Sequence, residues 1–475
     1  MAFSALLLSC LSTAWACHSW WIAAGAGLAF AAASPAFLGV RAYSRVGILL
    51  LSASVGFLLG AASQARMSQA SGRSFLPMPE ADVSAFTGTV TQDSSLTQKG
   101  DTVLRLSLRD ATSSPKGITA EARGSVLLLV PGDYRFSIGE QVRVHAIPAR
   151  MDGIGPEQWA ARAPRTEVQT LGFRSTLWAF RADARSWLHR TISRVGYPAS
   201  ALLEALLVGA REDVPQDLQD GFKRTGSLHI LALSGLHVTV LYGVAAGLLW
   251  FLHRRWQKFL AATLVIIFFQ FLAGFMPSLL RATVMIVIGG MAVLLDRDRE
   301  PVNVLALSGI VLLLIDPWQA FTLSFQLSFL ALAGILVIGS LVQRPLVSRL
   351  PGFLLLAVAM SAGAQAATIP LVVLRFGSWY PSGLFAGLLL VPLTTAYLWA
   401  GLAWLPLSLV PWTLLHDVCA WAFGLFYDVI RACAVTFARI PGLSFPPSAV
   451  PWLAAGTGLA VLLAAMVLPL KRGRA

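Results

Sequence analysis

The chain has 475 residues, 56% of them apolar and only 12% charged, with a mean hydropathy of +0.70. A soluble protein carries about twice that charged fraction, so a soluble enzyme, a disordered tail and a fibrous protein are all excluded. The net charge of +13, from 36 Lys and Arg against 23 Asp and Glu, is ambiguous by itself, because the cytoplasmic loops of any membrane protein collect Lys and Arg.

A helix needs about 20 apolar residues to cross the hydrocarbon. Three such stretches fill the start of the chain, at 3–20, 21–39 and 46–63. In the first, Ala14-Trp15-Ala16 mimics a signal-peptide cleavage site, but no Lys or Arg precedes the apolar run, so it reads as a membrane segment. After Arg66 the composition turns polar, and the periodicity becomes that of strands. Residues 85–90 and 102–108 alternate, 126–130 is a short buried run, and 141–144 follows Gly139. Turn signals separate them, such as Gln98-Lys99-Gly100-Asp101 and Pro131-Gly132-Asp133. Several short strands at this spacing fit a small OB-like β-barrel, and equally another small barrel or a sandwich.

Residues 173–194 read as a basic amphipathic helix on a membrane surface, or as a solvated connector. Phe173, Leu177, Phe180, Trp187, Leu188 and Ile192 supply its apolar bulk, while Arg174, Arg181, Arg185, Arg190 and Arg194 face only Asp183. From Leu228 the apolar runs return, at 228–252, 259–275, 279–295, 301–315, 318–341, 352–374, 382–407, 412–430 and 450–470. The expected fold is a polytopic α-helical membrane protein of about twelve transmembrane helices, with an inserted OB-like domain. Its parts are the N-terminal helices at 1–65, the β domain at 66–172, the basic helix and connector at 173–227, and a helical domain at 228–475.

Positive loop charge orients these spans. Arg41, Arg45, Arg254, Arg255, Lys258, Arg297, Arg299, Arg344, Arg349, Lys471, Arg472 and Arg474 all fall on one side when the spans are counted alternately. That side is the cytoplasm, which puts both termini inside and the β domain outside the cytoplasmic membrane. Arg375, Arg431 and Arg439 break the rule on the outer side, and Asp428 is expected to pair with Arg431 at i,i+3.

The helical domain opens with polar residues that are costly in a bilayer and usually line cavities. Phe222-Lys223-Arg224-Thr225-Gly226 leads into Ser227-Leu228-His229-Ile230-Leu231-Ala232-Leu233-Ser234-Gly235-Leu236-His237-Val238. On one continuous helix His229 and His237 would lie about 80° apart and Ser234 about 60° beyond. All three would then share a polar face, with Gly235 permitting close helix contact. A spacing of i,i+8 is not that of a helical zinc site, so no metal is expected. Three roles stay open for this face: a conduction path, interhelical hydrogen bonding, or a Ser–His nucleophile and base, though no acidic orienter is visible nearby. Further polar marks are Ser278 and Arg281 in Pro277-Ser278-Leu279-Leu280-Arg281-Ala282, the pair Asp316-Pro317, and Gln326 and Ser328 in Phe325-Gln326-Leu327-Ser328-Phe329. The four cysteines, Cys10, Cys17, Cys419 and Cys433, form no CxxC or metal-like set and read as small hydrophobes.

These segments resemble the signature of the ComEC family of bacterial competence proteins, DNA-uptake channels, and the order of parts is also the family's. The resemblance implies an inner-membrane channel that passes single-stranded DNA into the cytoplasm, with an outer DNA receptor and a cytoplasmic ATPase or helicase as partners. His229, Ser234, Gly235, His237, Ser278, Arg281, Gln326 and Ser328 are the expected channel-lining residues. An OB-type barrel binds single strands with basic residues and stacked aromatics. Candidates are Arg105, Arg123, Arg135 and Arg143, with Tyr134, Phe136 and Phe86. No P-loop occurs in the sequence, so energy must come from a partner or from the proton gradient. No cofactor and no catalysis are expected. The alternatives are a membrane hydrolase using Ser234 and His237, and a non-catalytic carrier of another solute.

Two departures from the family are visible. Members commonly end in a metallo-β-lactamase-like nuclease domain, and this sequence reads as a short form ending at Arg474-Ala475, with no H-x-H-x-D-H motif. Where the family usually has an Asn ahead of a Val-Pro-Leu, this sequence has Gly387 ahead of Val391-Pro392-Leu393.

Overall fold

The computed structural model describes residues 76–446, apart from 77–78, 98–99, 114–117, 151–158, 232, 275, 298–299, 317–318, 321 and 340–350. The spans expected at 3–20, 21–39, 46–63 and 450–470 lie outside the described residues. Two compact units separate: a β-rich one over Ala65–Thr191 with Phe271–Gly274, and a helical one that includes Ile192–Gln270 and continues from Phe275.

The β-rich unit is organised by its longest strand. Leu104, Leu106 and Leu108 alternate with Arg105, Ser107 and Arg109, so every second side chain can be buried. That period produces β3 (Thr102–Ser113), with Leu104 and Leu106 fully buried. Each such leucine contributes about 1.5–3 kcal/mol relative to an exposed one. The other strands are β1 (Val83–Val90), β2 (Ser95–Leu96), β4 (Thr119–Glu121), β5 (Ser125–Val130), β6 (Glu140–Val144), β7 (Ala149–Arg150), β8 (Trp159–Arg162) and β9 (Val168–Phe173). Their order is β7-β8-β5-β3-β1-β6-β9, with β2 and β4 also on β3. Only β5 and β8 run parallel; the remaining pairs are antiparallel. The expected barrel is therefore a mixed sheet whose described pairing leaves β7 and β9 as open ends.

Helix α1 (Thr176–Ser193) follows, starting after Phe173, which belongs to β9. Two of the five arginines expected on its basic face turn inward, where a charged side chain can leave water only with a partner. Arg181 is fully buried and holds Asp93 through Nη1 at 2.8 Å and Nη2 at 2.6 Å. Arg185 Nη1 donates to the same carboxylate at 2.6 Å. Arg174, Arg190 and Arg194 stay exposed, and so do Leu177, Phe180 and Trp187.

The helical unit contains α2 (Ala199–Leu207), α3 (Gln216–Arg224), α4 (Leu228–Leu231), α5 (Gly235–Leu248), α6 (Arg255–Ala273), α7 (Pro277–Leu294), α8 (Pro301–Ile315), α9 (Leu323–Gly334), α10 (Gly352–Phe376), α11 (Gly383–Leu407) and α12 (Thr413–Ala438). A π-helical turn, Ile335–Gly339, continues α9. Five helices are long and apolar enough to cross a membrane among the described residues: α6, α7, α10 from Leu354, α11 and α12. At about 1.5 Å per residue, the 25 and 26 residues of α11 and α12 exceed a hydrocarbon core of about 30 Å. The apolar helices α5, α8 and α9, with 14, 15 and 12 residues, are too short to cross alone. The continuous span expected at 228–252 is thus replaced by a broken helix, while the span expected at 318–341 is helical from Leu323 to Gly339 among the described residues, with a π turn at its end.

Small residues and a few polar ties fix the packing. A Cβ added to Gly334 would lie 2.2 Å from the Gly363 carbonyl oxygen, so α9 and α10 meet backbone to backbone. A Cβ at Gly401 would strike Leu203, which brings α2 against α11, and Tyr397 Oη donates to the Ala199 carbonyl at 2.8 Å. Arg431 pairs with Asp217 of α3 at 2.6 Å rather than with Asp428, because α12 lies against α3.

Candidate functional site: a broken helix and a buried arginine

The segment from Phe222 to Gly226 ends α3 as a Schellman cap. Ser227 N–H donates to the Phe222 carbonyl at 2.8 Å and Gly226 N–H to the Lys223 carbonyl at 3.0 Å. Gly226 sits at φ +65°, where a Cβ would be strained, and Phe222 is buried. This explains the residue types in the motif: an apolar residue at C3, a cap, then a glycine. The chain then makes the single turn α4 and breaks before Gly235.

The break is a capping box. Ser234 is extended at φ −116°, ψ 170°, and precedes the first residue of α5. Its backbone N–H donates to His237 Nδ1 at 3.0 Å, and its Oγ lies 2.9 Å from the same nitrogen. Histidine thus takes the N3 place that Glu or Gln usually fills. Because Nδ1 accepts a backbone N–H it carries no proton, so the ring is the neutral Nε2–H tautomer and Ser234 Oγ–H also donates to it. The i,i+3 spacing of Ser234 and His237 therefore has a backbone reason. The common face expected from one continuous helix is corrected accordingly: His229 stands on α4 before the break and is exposed, while His237 is buried behind it.

Helix α7 joins this break to a second polar group. Ser278 Oγ donates to the Leu233 carbonyl at 2.6 Å, satisfying a carbonyl that the break releases. A Cβ on Gly235 would stand 3.4 Å from the Cβ of Ala282, an ordinary contact between α5 and α7. One turn along α7 from Ser278, Arg281 is only 3% exposed. Its Nη2 donates to Ser324 Oγ at 3.1 Å, in the first turn of α9. Its Nε and Nη1 have no hydrogen-bond partner among the described residues. Ser328, half-buried, lies one turn beyond Ser324 on α9. Gln326 Nε2 instead donates to the Ala320 carbonyl at 2.8 Å and ties the loop before α9.

The helices thus bring together Ser234, Gly235, His237, Ser278 and Arg281, with Ser328 one turn further along α9 from the Ser324 that Arg281 meets, Gln326 in a supporting contact and His229 outside the group. Ser324 belongs to the group and was not singled out in the sequence; its i,i+4 spacing to Ser328 was the available signal. Gly387 faces Ser361 of α10, 3.8 Å from where its Cβ would be. Among the described residues no three His, Cys, Asp or Glu side chains could hold a metal ion.

In the β-rich unit the four arginines do not converge. Register puts Arg143 beside Thr87 of β1, and Arg105 meets Thr91 just past the end of that strand, on the same outward face. Arg105 Nη1 donates to Gln92 at 3.1 Å, Arg123 is held by Glu121 at 2.8 Å, and Arg135 is exposed in a loop. Phe86 and Phe136 are buried in the sheet's core and offer no surface for stacking, which corrects their candidacy. Tyr134 is exposed, with the Arg165 guanidinium 5.8 Å from its ring centroid.

A family model described as "Competence protein" matches residues 206–472, more than half of the chain, from α2 through the broken helix and beyond α12. The chain belongs to the ComEC family of competence proteins. Among curated proteins, ComE operon protein 3 of Bacillus subtilis is 29% identical over 201 residues, 42% of this chain and 25% of that protein. The uncharacterized protein YcaI of Escherichia coli is 30% identical over 148 residues, 30% of this chain and 20% of its own length. An Aquifex aeolicus protein is 29% identical over 194 residues, 41% of this chain and 44% of its own length. The match therefore spans from a fifth to under half of the length of these relatives. No solved structure matches the chain.

Proposed function

We propose that this chain acts in DNA uptake during transformation by passing single-stranded DNA through the cytoplasmic membrane. The observation that carries the reading is the break between α4 and α5. Non-helical backbone at membrane depth is tolerated only where it is buried in protein or lines a water-filled cavity. Here Ser234, His237, Ser278 and Arg281 gather at that break among apolar helices. A polyanion crossing a bilayer needs such a wet, polar path, and the side chains present are donors and one cation rather than carboxylates. Membership of a competence family supplies the cargo.

The β-rich unit would stand on the outer side and contact the strand through Arg105 and Arg143 on its outward face. An outer DNA receptor and a cytoplasmic ATPase complete the path in this reading, because the sequence holds no P-loop. Transformation frequency in a deletion strain tests it. His237→Ala, at normal membrane levels, should abolish transformation; normal transformation would remove the broken helix from the mechanism.

One observation favours a second reading, a membrane hydrolase: Ser234 Oγ and His237 Nδ1 are at hydrogen-bond distance, as a nucleophile and its base would be. Yet Nδ1 already accepts the Ser234 backbone N–H, a bond that caps α5 and competes with proton abstraction. Ser234→Ala separates the two readings, since transport tolerates loss of the hydroxyl far better than hydrolysis does.

A further inference from the structure

Loop charge orients most of the basic residues but leaves Arg375, Arg431 and Arg439 on the wrong side, and Lys223 and Arg224 share that expected outer side. The helical unit gathers all five at one end. Helix α10 stops at Gly377, whose φ of +64° and N–H bond to the Val373 carbonyl at 2.9 Å close it. Beyond it β10 (Ser378–Trp379) pairs antiparallel with β11 (Leu443–Ser444), which follows α12, so the C-terminal ends of α10 and α12 lie side by side. The Phe445 N–H donates to the Gly377 carbonyl at 2.8 Å and seals the pair. Helix α3 joins the same end. A Cβ on Gly221 would stand 3.2 Å from the Cβ of Ala434, near the end of α12. A Cβ on Gly383, the first residue of α11, would stand 2.5 Å from the Thr225 carbonyl oxygen.

Four of these cations close a helix C-terminus: Lys223 and Arg224 on α3, Arg375 on α10, and Arg439 as the C-cap of α12. All four are exposed, and among the described residues none of them forms an ion pair, whereas Arg431 is held by Asp217. Asp220 of α3 and Asp428, one turn before Arg431 on α12, are exposed as well and leave the cations in excess. The helix dipole accounts for each cation singly. Gathering them raises their mutual repulsion, which an anionic occupant relieves. From Gly226 the chain turns through α4 and reaches the break at Ser234 within eight residues, so this end adjoins the break.

We propose that Lys223, Arg224, Arg375 and Arg439 form an electropositive mouth that captures the phosphodiester backbone of a single strand before it reaches the break. The proposal rests on the reading of the break as part of the path and names where the strand arrives. Capture by exposed cations is indifferent to base sequence and weakens with salt. The headgroup of an anionic phospholipid carries the same phosphate chemistry. Single cations at span ends suffice to meet headgroups, however, while a gathered set beside the break suits a polymer with a phosphate at every residue.

The test uses the full chain in nanodiscs of phosphatidylcholine, with a labelled single-stranded oligothymidylate as probe. Lys223→Gln with Arg224→Gln should slow association about tenfold at low salt and lower the slope of log affinity against log salt by about 1.4, at about 0.7 per cation. Arg375→Gln with Arg439→Gln, on two other helices, should do the same, which keeps the test intact if the first pair impairs folding. Arg254→Gln with Arg255→Gln removes equal charge at the start of α6 and should change neither quantity. An oligonucleotide with neutral methylphosphonate linkages should bind all four proteins alike. Wild-type association and slope in both mouth pairs would overturn the proposal, and so would an equal loss in the α6 pair, which would show only the pull of net charge. If phosphatidylglycerol nanodiscs raise the melting temperature of wild type but not of the mouth pairs, while oligonucleotide binding stays equal, the occupant is a lipid headgroup and the proposal falls. Transformation separates the mouth from the reading beneath it. Unchanged oligonucleotide binding in both mouth pairs, with transformation lost in His237→Ala, refutes the mouth and leaves the path; weakened binding in both pairs, with normal transformation in His237→Ala, supports the mouth and refutes the path.

Discussion

Replacing Asp93 by Asn tests whether charge pairing holds the β-rich unit together. The Asp93 carboxylate accepts four bonds: Arg181 Nη1 at 2.8 Å, Arg181 Nη2 at 2.6 Å, Arg185 Nη1 at 2.6 Å, and the Ile138 backbone N–H at 2.9 Å. An amide keeps one acceptor oxygen but turns donors toward a guanidinium that is fully buried. Leaving a buried charge without its counterion costs about 3–5 kcal/mol, a large part of the 5–15 kcal/mol that holds a typical domain together. The full chain in detergent is suited to amide hydrogen exchange, which resolves this unit from the helices. Asp93→Asn should speed the slowest amides of β1 and β3 by about 10²- to 10³-fold. Acid should reproduce the effect in the wild type. Burial raises the Asp93 pKa, but the Arg181 hydrogen bond and the charges of Arg185 and Arg181, with the Ile138 amide, outweigh it and hold the carboxyl below its ordinary value. A depressed carboxylate stabilises the fold above its unfolded pKa of about 3.9 and loses that contribution as pH falls through the lower folded value. Wild-type protection should therefore drop below about pH 4 in a step that Asp93→Asn lacks. Protection within threefold of wild type at pH 7 would refute the reasoning.

Other substitutions probe the remaining elements. His237→Gln can rebuild the capping box, so it should restore most of the stability that His237→Ala loses, about 0.5–2 kcal/mol, as read by melting temperature. Gly363→Leu places a side chain where even a Cβ would lie 2.6 Å from the Gly334 carbonyl oxygen; it should abolish the monodisperse peak in size-exclusion chromatography, and an unchanged peak would deny that α9 and α10 meet there. Arg105→Glu with Arg143→Glu should weaken single-stranded DNA binding and lower its salt slope by at least about 1.4, whereas Phe136→Leu should leave it unchanged.

What the sequence made legible followed from short-range periodicity. Leu104, Leu106 and Leu108 announce β3 because a strand buries every second residue. The long apolar runs announce α6, α7, α10, α11 and α12 because a bilayer needs about 20 such residues. The site was legible as residue types but not as geometry. Composition cannot show that Ser234 stops one helix and starts another, so His229 and His237 were placed on one face that the break divides. Long-range partners were equally invisible: Arg181 finds Asp93 across 88 positions, and Arg431 finds Asp217 across 214 in place of the nearby Asp428. Phe86 and Phe136 looked like stacking platforms until the register turned them into the core. Arg281 could be marked as costly from sequence, but only packing shows that its Nε and Nη1 find no hydrogen-bond partner among the described residues.

The central claim, that DNA passes along α5, α7 and α9, is tested most directly by crosslinking during uptake. Single cysteines would be introduced as Ser278→Cys, Ser328→Cys and, facing outward on α6, Val265→Cys, in a chain freed of Cys10, Cys17, Cys419 and Cys433. The incoming DNA carries a thiol-reactive group on its backbone. Crosslinks at positions 278 and 328, and none at 265, are the predicted result. Uptake that proceeds with no crosslink at 278 or 328, or with equal crosslinking at 265, would contradict it.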